Sequence, residues 1–297
     1  MNNRILVFGS QGYLGRVITR LLSEGKYFEP VEVFRQGPKL LAKVGGTVQE
    51  YEHFEALGAS LRGNPVPIAA VNAAAFTSKE DSHFALERLV EANVTVPSHI
   101  AKICADVGIE RLIHFGTFST SVDGISPSPQ TFYAASKAAG YEALRYFSRS
   151  QGLKVVVLEP FDIYAADHPH GKVISVLAES LSEGSGVKLS KGEQELAPVH
   201  ALDVAKASIQ ALTVPISEQY SIWSLAGPEV LTLKQLATEI AIALGKESNL
   251  NLLNFTNPYR GNEIMKAKPR FTNFPMVAPL RVREGILVSA LSGFEPR

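Results

Sequence analysis

Among 297 residues there is one cysteine, no surplus of either charge, no internal repeat or low-complexity linker, and no apolar run of membrane-spanning length. Each absence excludes something. A lone Cys104 permits no internal disulfide and no cysteine cage for a metal, which suits a reducing compartment. It falls on a predicted helix with Ile100, Ile103 and Val107, where a small buried hydrophobe is expected rather than a reactive thiol. Twenty-nine basic residues balance 29 acidic ones with no long run of either sign, which argues against a general nucleic-acid or anionic-membrane binder. A bilayer needs roughly 20 consecutive apolar residues, and none are present. The N-terminus enters a strand directly, without the layout of a signal peptide, so a cytoplasmic setting is expected. A hydrophobic content of 45% is enough for one large core, or one and a smaller lobe.

What is present begins at once. Arg4-Ile5-Leu6-Val7-Phe8 is a short run of strand formers, followed by Gly9-Ser10-Gln11-Gly12-Tyr13-Leu14-Gly15. From Arg16 to Leu22 the period turns helical, with Val17, Ile18, Leu21 and Leu22 on one face. Strand, glycine turn and helix together form a dinucleotide site. One glycine allows the tight turn, one lets backbone approach a pyrophosphate, and one lets helix pack on strand. The N-terminus of the helix offers N–H groups to the anion. The second strand, Val31–Phe34, ends at Arg35, where an acid would hold the ribose 2′-hydroxyl of NAD and an arginine accommodates the 2′-phosphate of NADP. NADP(H) is therefore expected over NAD(H), with Gln36 and Lys39 close behind.

A third strand is expected near 47–51 and a helix up to Leu61. An apolar, small-residue strand over 68–75 runs into Phe76-Thr77, so that Ala73, Ala74 and Ala75 let a flat cofactor lie against backbone. An amphipathic segment covers about 81–107, broken near Pro97, with Asn93 in its middle. Arg111–Phe115 forms the fifth strand and Lys154–Leu158 the sixth. Strands alternating with helices predict an α/β fold with a parallel, doubly wound Rossmann-type sheet and ligands at the strand C-termini.

After the fifth strand, Thr117, Phe118 and Ser119 lie on its exit loop, and Phe132-Tyr133-Ala134-Ala135-Ser136-Lys137 opens an Ala-rich helix. Of nine tyrosines only Tyr133 has a lysine four residues on, and that spacing puts both on one helix face. A tyrosine acts as an acid or base near neutral pH only if its pKa of roughly 10 is lowered. The Lys137 ammonium one turn away is expected to lower it by favouring the phenolate. A Ser or Thr hydroxyl, Ser119 or Thr117, would hold the substrate oxygen.

The GxxGxxG turn, Asn72–Ala75, Asn93, the Ser119 loop and Tyr133/Lys137 occur in the order of the extended short-chain dehydrogenase/reductases. The chain resembles their NAD-dependent epimerase/dehydratase family, which acts largely on nucleotide sugars, and Val71–Thr77 is similar to the 4-ketoreductases that finish deoxysugar nucleotides. The resemblance implies catalysis by Ser119, Tyr133 and Lys137, with Thr117 in reserve for Ser119. It implies cofactor contacts from the glycine turn (Gly9, Gln11, Gly12, Tyr13, Leu14, Gly15), from Arg35, Ala73–Ala75 and Asn93, and from Tyr133, Lys137 and Pro160. Thr77, Thr117, Phe118 and Ser119 fall on the substrate side with Arg260, the counterpart of a diphosphate-binding arginine. A homodimer is compatible with it.

The chain also departs from the family. Glu159-Pro160-Phe161-Asp162-Ile163-Tyr164-Ala165 stands where Arg-Pro-x-Asn-x-Tyr-Gly is usual, and Glu195-Leu196 where many members carry an arginine. His168 and His170 have metal-like spacing but no third ligand nearby, so no metal is expected. His200 and Asp203 read as structural. Thr232 caps a helix from Leu233 to Leu244, closed by Gly245, and the tail shows no regular pattern. The expected domains are 1–164 with 199–227 for the cofactor, and 165–198 with 228–297 as a discontinuous substrate lobe. The activities implied are NADP(H)-dependent reduction or epimerisation of a nucleotide sugar in cell-surface polysaccharide or deoxysugar biosynthesis. A reductase or epimerase of a non-nucleotide carbonyl compound and a catalytically silent dinucleotide-binding protein remain as alternatives.

Overall fold

A computed structural model describes residues 3–62, 65–78, 80, 82–121, 124–165, 172–258 and 266–291. The chain divides into two compact units, 1–120 with 129–159 and 205–223, and 121–128 with 160–204 and 224–297. Relative to the expected division, 121–128, 160–164, 199–204 and 224–227 belong with the second unit.

The first part runs β1 (Arg4–Phe8), α1 (Tyr13–Glu24), β2 (Glu29–Gln36), β3 (Lys39–Val44), β4 (Thr47–Tyr51), α2 (Phe54–Leu61), β5 (Ala69–Asn72), α3 (His83–Val90), a π-helical turn (Glu91–Thr95), α4 (Val96–Val107), β6 (Arg111–Phe115), α5 (Phe132–Gln151) and β7 (Lys154–Pro160). There follow β8 (Ile163–Tyr164), α6 (Val173–Glu183), β9 (Val187–Ser190), β10 (Glu195–Leu196), β11 (Val199–His200), α7 (Ala201–Thr213), β12 (Tyr220–Leu225), β13 (Leu231–Thr232), α8 (Leu233–Leu244), β14 (Leu253–Asn257) and α9 (Val282–Leu291).

The main sheet has the order β12-β7-β6-β5-β1-β2-β3-β4. Pairing is parallel from β2 through β1, β5 and β6 to β7, as the alternating pattern predicts. At the other edge it is antiparallel, because β2, β3 and β4 form a meander. Lys39–Val44 was not among the expected strands, and the glycines explain why it forms one. Gly45 and Gly46 both have positive φ, 52° and 91°, and Val44 pairs with Thr47, giving a two-residue hairpin that needs such residues. Gly37 (φ 61°) turns β2 into β3 in the same way. The Gly-Gly between two strand-like runs was a readable signal.

Strands β1 and β5 are almost wholly buried, and Leu6, Phe8 and Val33 pack with Ile100, Cys104 and Leu144 in one core. Burial pushes the Cys104 thiol up to about 12, which makes it a core hydrophobe as expected. The break expected near Pro97 is the π turn instead, with Pro97 in the first turn of α4.

In the second unit α6, α8 and α9 bury Leu177, Leu181, Leu236, Ile240, Val282 and Ile286 against one another. Thr232 caps α8 in a reciprocal capping box with Gln235, and Gly245 closes it at φ 64°. Helix α9 lies in the tail that shows no pattern in sequence. Its Gly285 explains both facts: glycine weakens a helix, yet here a Cβ would meet the Tyr164 hydroxyl at 2.1 Å. His200 and Asp203 tie down the same tail, His200 through Ser289 Oγ at 3.1 Å and Asp203 by accepting the Leu280 N–H at 2.8 Å.

Candidate active site

The glycine turn is built of backbone. Gly9 and Ser10 donate their N–H groups to the Val33 carbonyl at 2.8 and 3.3 Å, and Gly12 donates to the Gly9 carbonyl at 2.9 Å. Gly9 has φ 74°, and a Cβ there would lie 2.6 Å from Ala74 N. A Cβ on Gly15 would lie 2.1 Å from the Gly9 carbonyl oxygen, so this glycine lets α1 seat on the turn. Gly12 is the N-cap of α1, no side chain covers that helix end, and the first turn holds no acidic residue. An uncapped helix N-terminus behind a turn with no room for a Cβ at Gly9 or Gly15 is what a pyrophosphate requires. The residues present fit a dinucleotide.

The neighbouring strand ends complete this side. Ala73 donates its N–H to the Phe8 carbonyl and Ala74 to Asn72 Oδ1, while Asn72 Nδ2 meets His114 Nδ1 at 3.0 Å. Ala73 and Ala74 are half-buried and Ala75 exposed. Asn93, fully buried in the π turn, donates to the Phe76 carbonyl and to Ser136 Oγ, which in turn donates to the Tyr133 carbonyl. It braces the loop after β5 against α5. Gly140 permits that approach, since a Cβ would come within 2.2 Å of the Asn93 carbonyl. Arg35, at the end of β2, forms an ion pair of 2.7 Å with Glu91, both side chains half-exposed. Lys39 does not join it: its Nζ is bonded to Glu50 at 2.8 Å. The exposed Gln11 donates to Glu32.

The reactive groups converge at the end of β6. Thr131 caps α5 by accepting the Ala134 N–H, which sets the helix that carries Tyr133 and Lys137. Thr117 Oγ1 and Ser119 Oγ are 2.9 Å apart. The Thr117 hydroxyl draws the pKa of the Tyr133 phenol down, but burial outweighs it and pushes the phenol up to about 12. This corrects the expectation that Lys137 lowers Tyr133. The buried Lys137 donates Nζ to the Phe115 carbonyl at 2.9 Å, and burial brings its own pKa down to about 8. Burial, followed by the nearby Lys137, holds the His114 imidazole well below its ordinary range.

A second layer escaped sequence reasoning. Tyr141 OH accepts the Thr117 N–H at 3.0 Å and donates to Glu159 Oε1 at 2.8 Å, which also accepts from Thr120 Oγ1 at 3.1 Å. Tyr141 stands four residues beyond Lys137, on the same face as Tyr133, and that spacing was the available signal. Phe118 lies in the short 3₁₀ turn Phe118–Thr120, Pro160 is buried at the end of β7, and Thr77 is exposed. Arg260, His168 and His170 fall outside the described residues. Among the described residues no group of His, Cys, Asp or Glu is arranged to hold a metal, and no helix is long and apolar enough to cross a membrane.

The chain is 26% identical over 281 residues to the CDP-abequose synthase of Yersinia pseudotuberculosis, covering 91% of this chain and 93% of that protein. It is 24% identical over 261 residues to the probable low-salt glycan biosynthesis reductase Agl14 of Haloferax volcanii, covering 82% and 81%. Its fold matches a crystal structure of the DesIV double mutant (dTDP-glucose 4,6-dehydratase) of Streptomyces venezuelae with NAD bound, at a TM-score of 0.76, 20% identity, and 96% and 95% coverage. The model of the NAD dependent epimerase/dehydratase family matches residues 5–226. With its glycine turn, its parallel core sheet and this match across most of its length, the chain belongs to the NAD dependent epimerase/dehydratase family.

Proposed function

We propose that this chain is a cytoplasmic NADP(H)-dependent oxidoreductase that reduces the keto group of a nucleotide sugar, as a 4-ketoreductase of polysaccharide or deoxysugar biosynthesis. The observation that carries the reading is the convergence of the Tyr133 phenol, the Thr117–Ser119 hydroxyl pair and Lys137 at the end of β6, in the same unit as the glycine turn. A nicotinamide, when bound, supplies or accepts a hydride. The chain's own groups do the rest. The turn Gly9–Gly15 and the α1 N-terminus hold the pyrophosphate, with Ala73–Ala75 beside it. Arg35 exchanges Glu91 for the 2′-phosphate. Ser119 donates a hydrogen bond that orients the carbonyl oxygen, Tyr133 passes its proton to that oxygen, and Lys137 binds the ribose and stabilises the phenolate that results.

The kinship with a probable glycan biosynthesis reductase favours reduction over epimerisation. The kinship with a CDP-abequose synthase and a glycan biosynthesis reductase supports the same class of substrate.

The test has two stages. A panel of CDP-, UDP- and dTDP-sugars with NADPH or NADH is screened by thermal shift, since a ligand at 100 times its Kd stabilises by about 2.7 kcal/mol. Turnover is then followed on the 4-keto form of the sugar that binds. Tyr133→Phe keeps the ring and the cofactor site, and turnover should fall by about 10²-fold or more. Wild-type turnover in that variant would overturn the mechanism.

A further inference from the structure

We propose that Tyr141 and Glu159 are a positioning pair for the reaction: buried behind the loop Gly116–Thr120, they set the backbone from which Thr117 and Ser119 present their hydroxyls. The proposal rests on the functional reading above and adds two residues that touch neither substrate nor cofactor.

The geometry is a relay of donors and acceptors. Glu159 Oε1 accepts from the Tyr141 hydroxyl at 2.8 Å and from Thr120 Oγ1 at 3.1 Å, and the Tyr141 oxygen accepts the Thr117 N–H at 3.0 Å. Gly116 donates its N–H to the Leu158 carbonyl at 2.8 Å. The loop is thus held at Gly116, Thr117 and Thr120, and between the last two stands Ser119, 2.9 Å from the Thr117 hydroxyl. The Thr117 hydroxyl is also the group that lowers the Tyr133 phenol. Tyr141 is 4% exposed, Glu159 1% and Thr120 0%. Steric fit is equally specific: a Cβ at Gly116 would lie 1.9 Å from the Tyr141 oxygen and 3.0 Å from Glu159 Cγ. Glycine at 116 is the residue that admits the pair.

Burying a carboxyl is costly, and an apolar replacement of similar volume is often neutral or stabilising. A core selected for stability alone would put leucine or phenylalanine at these positions. What the pair provides is a fixed distance from β7 and α5 to the hydroxyl loop. The other titratable groups facing this cluster are Tyr133 on α5, Tyr220 on β12, whose hydroxyl donates to the Tyr141 carbonyl at 3.2 Å, and His114 on β6, whose ring lies edge-on to Tyr141 with centroids 6.4 Å apart.

The experiment uses the full chain with NADPH and the keto-sugar identified above. Tyr141→Phe and Glu159→Leu should each lower kcat by about 10-fold to 10²-fold, the scale of a misplacement near 1 Å, with KM and the NADPH Kd held within about 2-fold. Glu159→Gln retains an oxygen acceptor for Tyr141 and Thr120 and should recover most of the activity lost in Glu159→Leu. A kcat unchanged in folded Tyr141→Phe and Glu159→Leu overturns the proposal. So does a loss that follows thermal stability and NADPH affinity with no rescue by Glu159→Gln. Failure of all three variants to fold assigns the pair to the core and overturns it too. Tyr133→Phe is measured alongside: wild-type turnover there sinks the functional reading and this inference with it. An inactive Tyr133→Phe beside fully active Tyr141→Phe and Glu159→Leu sinks the inference alone.

Discussion

The two halves of the candidate site are made of different material. The turn Gly9–Gly15 depends on its backbone: Gly9, Ser10 and Gly12 donate their N–H groups to main-chain carbonyls, and at Gly9 and Gly15 even a Cβ would collide. The loop Gly116–Thr120 is side-chain chemistry: hydroxyls, a phenol and a carboxyl joined by hydrogen bonds, with the Lys137 ammonium on the Phe115 carbonyl beside them. On the proposed reading the first half recognises a feature common to all dinucleotides, which needs only shape and an uncapped helix, and the second moves a proton, which needs groups whose protonation the interior controls. A backbone site fails by losing shape, and a side-chain site can lose its chemistry with the fold intact.

The largest break in this comparison is at Gly15. Gly15→Ala puts a Cβ 2.1 Å from the Gly9 carbonyl oxygen. We expect about 1–3 kcal/mol of lost stability, the range of an overpacked core, and loss of measurable NADPH binding by fluorescence titration. Gly12→Ala meets the same oxygen at 3.1 Å and should be clearly milder, and equal effects would refute the steric reading.

A smaller effect probes the other half through pH. Lys137 has a folded-state pKa of about 8 against 10.5 for the free side chain. Between these values the unfolded chain binds more protons, so this residue's contribution to stability rises as pH goes from about 8 to 10.5. Denaturant unfolding of wild type and Lys137→Met across that window should give a stability difference that shifts steadily in favour of wild type. A difference independent of pH would show that the ammonium is not desolvated.

The smallest expected effect lies at the rim of the backbone half. Arg35 is half-exposed and paired with Glu91. A solvated ion pair of this kind contributes about 0–1 kcal/mol, so its loss should leave the fold unchanged. Arg35→Ala should narrow the preference for NADPH over NADH several-fold while NADH affinity stays put. Equal binding of the two cofactors by wild type would remove the assignment.

The same contrast explains how much could be read beforehand. Glycine spacing after a strand, and a tyrosine and lysine one helical turn apart, are local patterns, and both were visible in the chain. Tyr141 followed the same spacing, yet its meaning depended on Glu159 arriving from β7 and Gly116 from the end of β6. The direction of the Tyr133 pKa was misjudged for a related reason. Spacing places Lys137 on the same helix face, but burial acts on the whole neighbourhood, and the lysine is bonded to Phe115.

By itself the sequence determined which segments alternate between strand and helix, where the backbone needs glycine, and which reactive side chains share a helix face. These follow from φ/ψ preference and periodicity, which act over a few residues. Tertiary structure alone decided the arrival of Glu159 and Gly116 around Tyr141, the seating of α9 against Tyr164, and the burial of Tyr133 and Lys137. Sheet pairing, steric contact and desolvation join groups far apart in the chain, and no short window of sequence contains them.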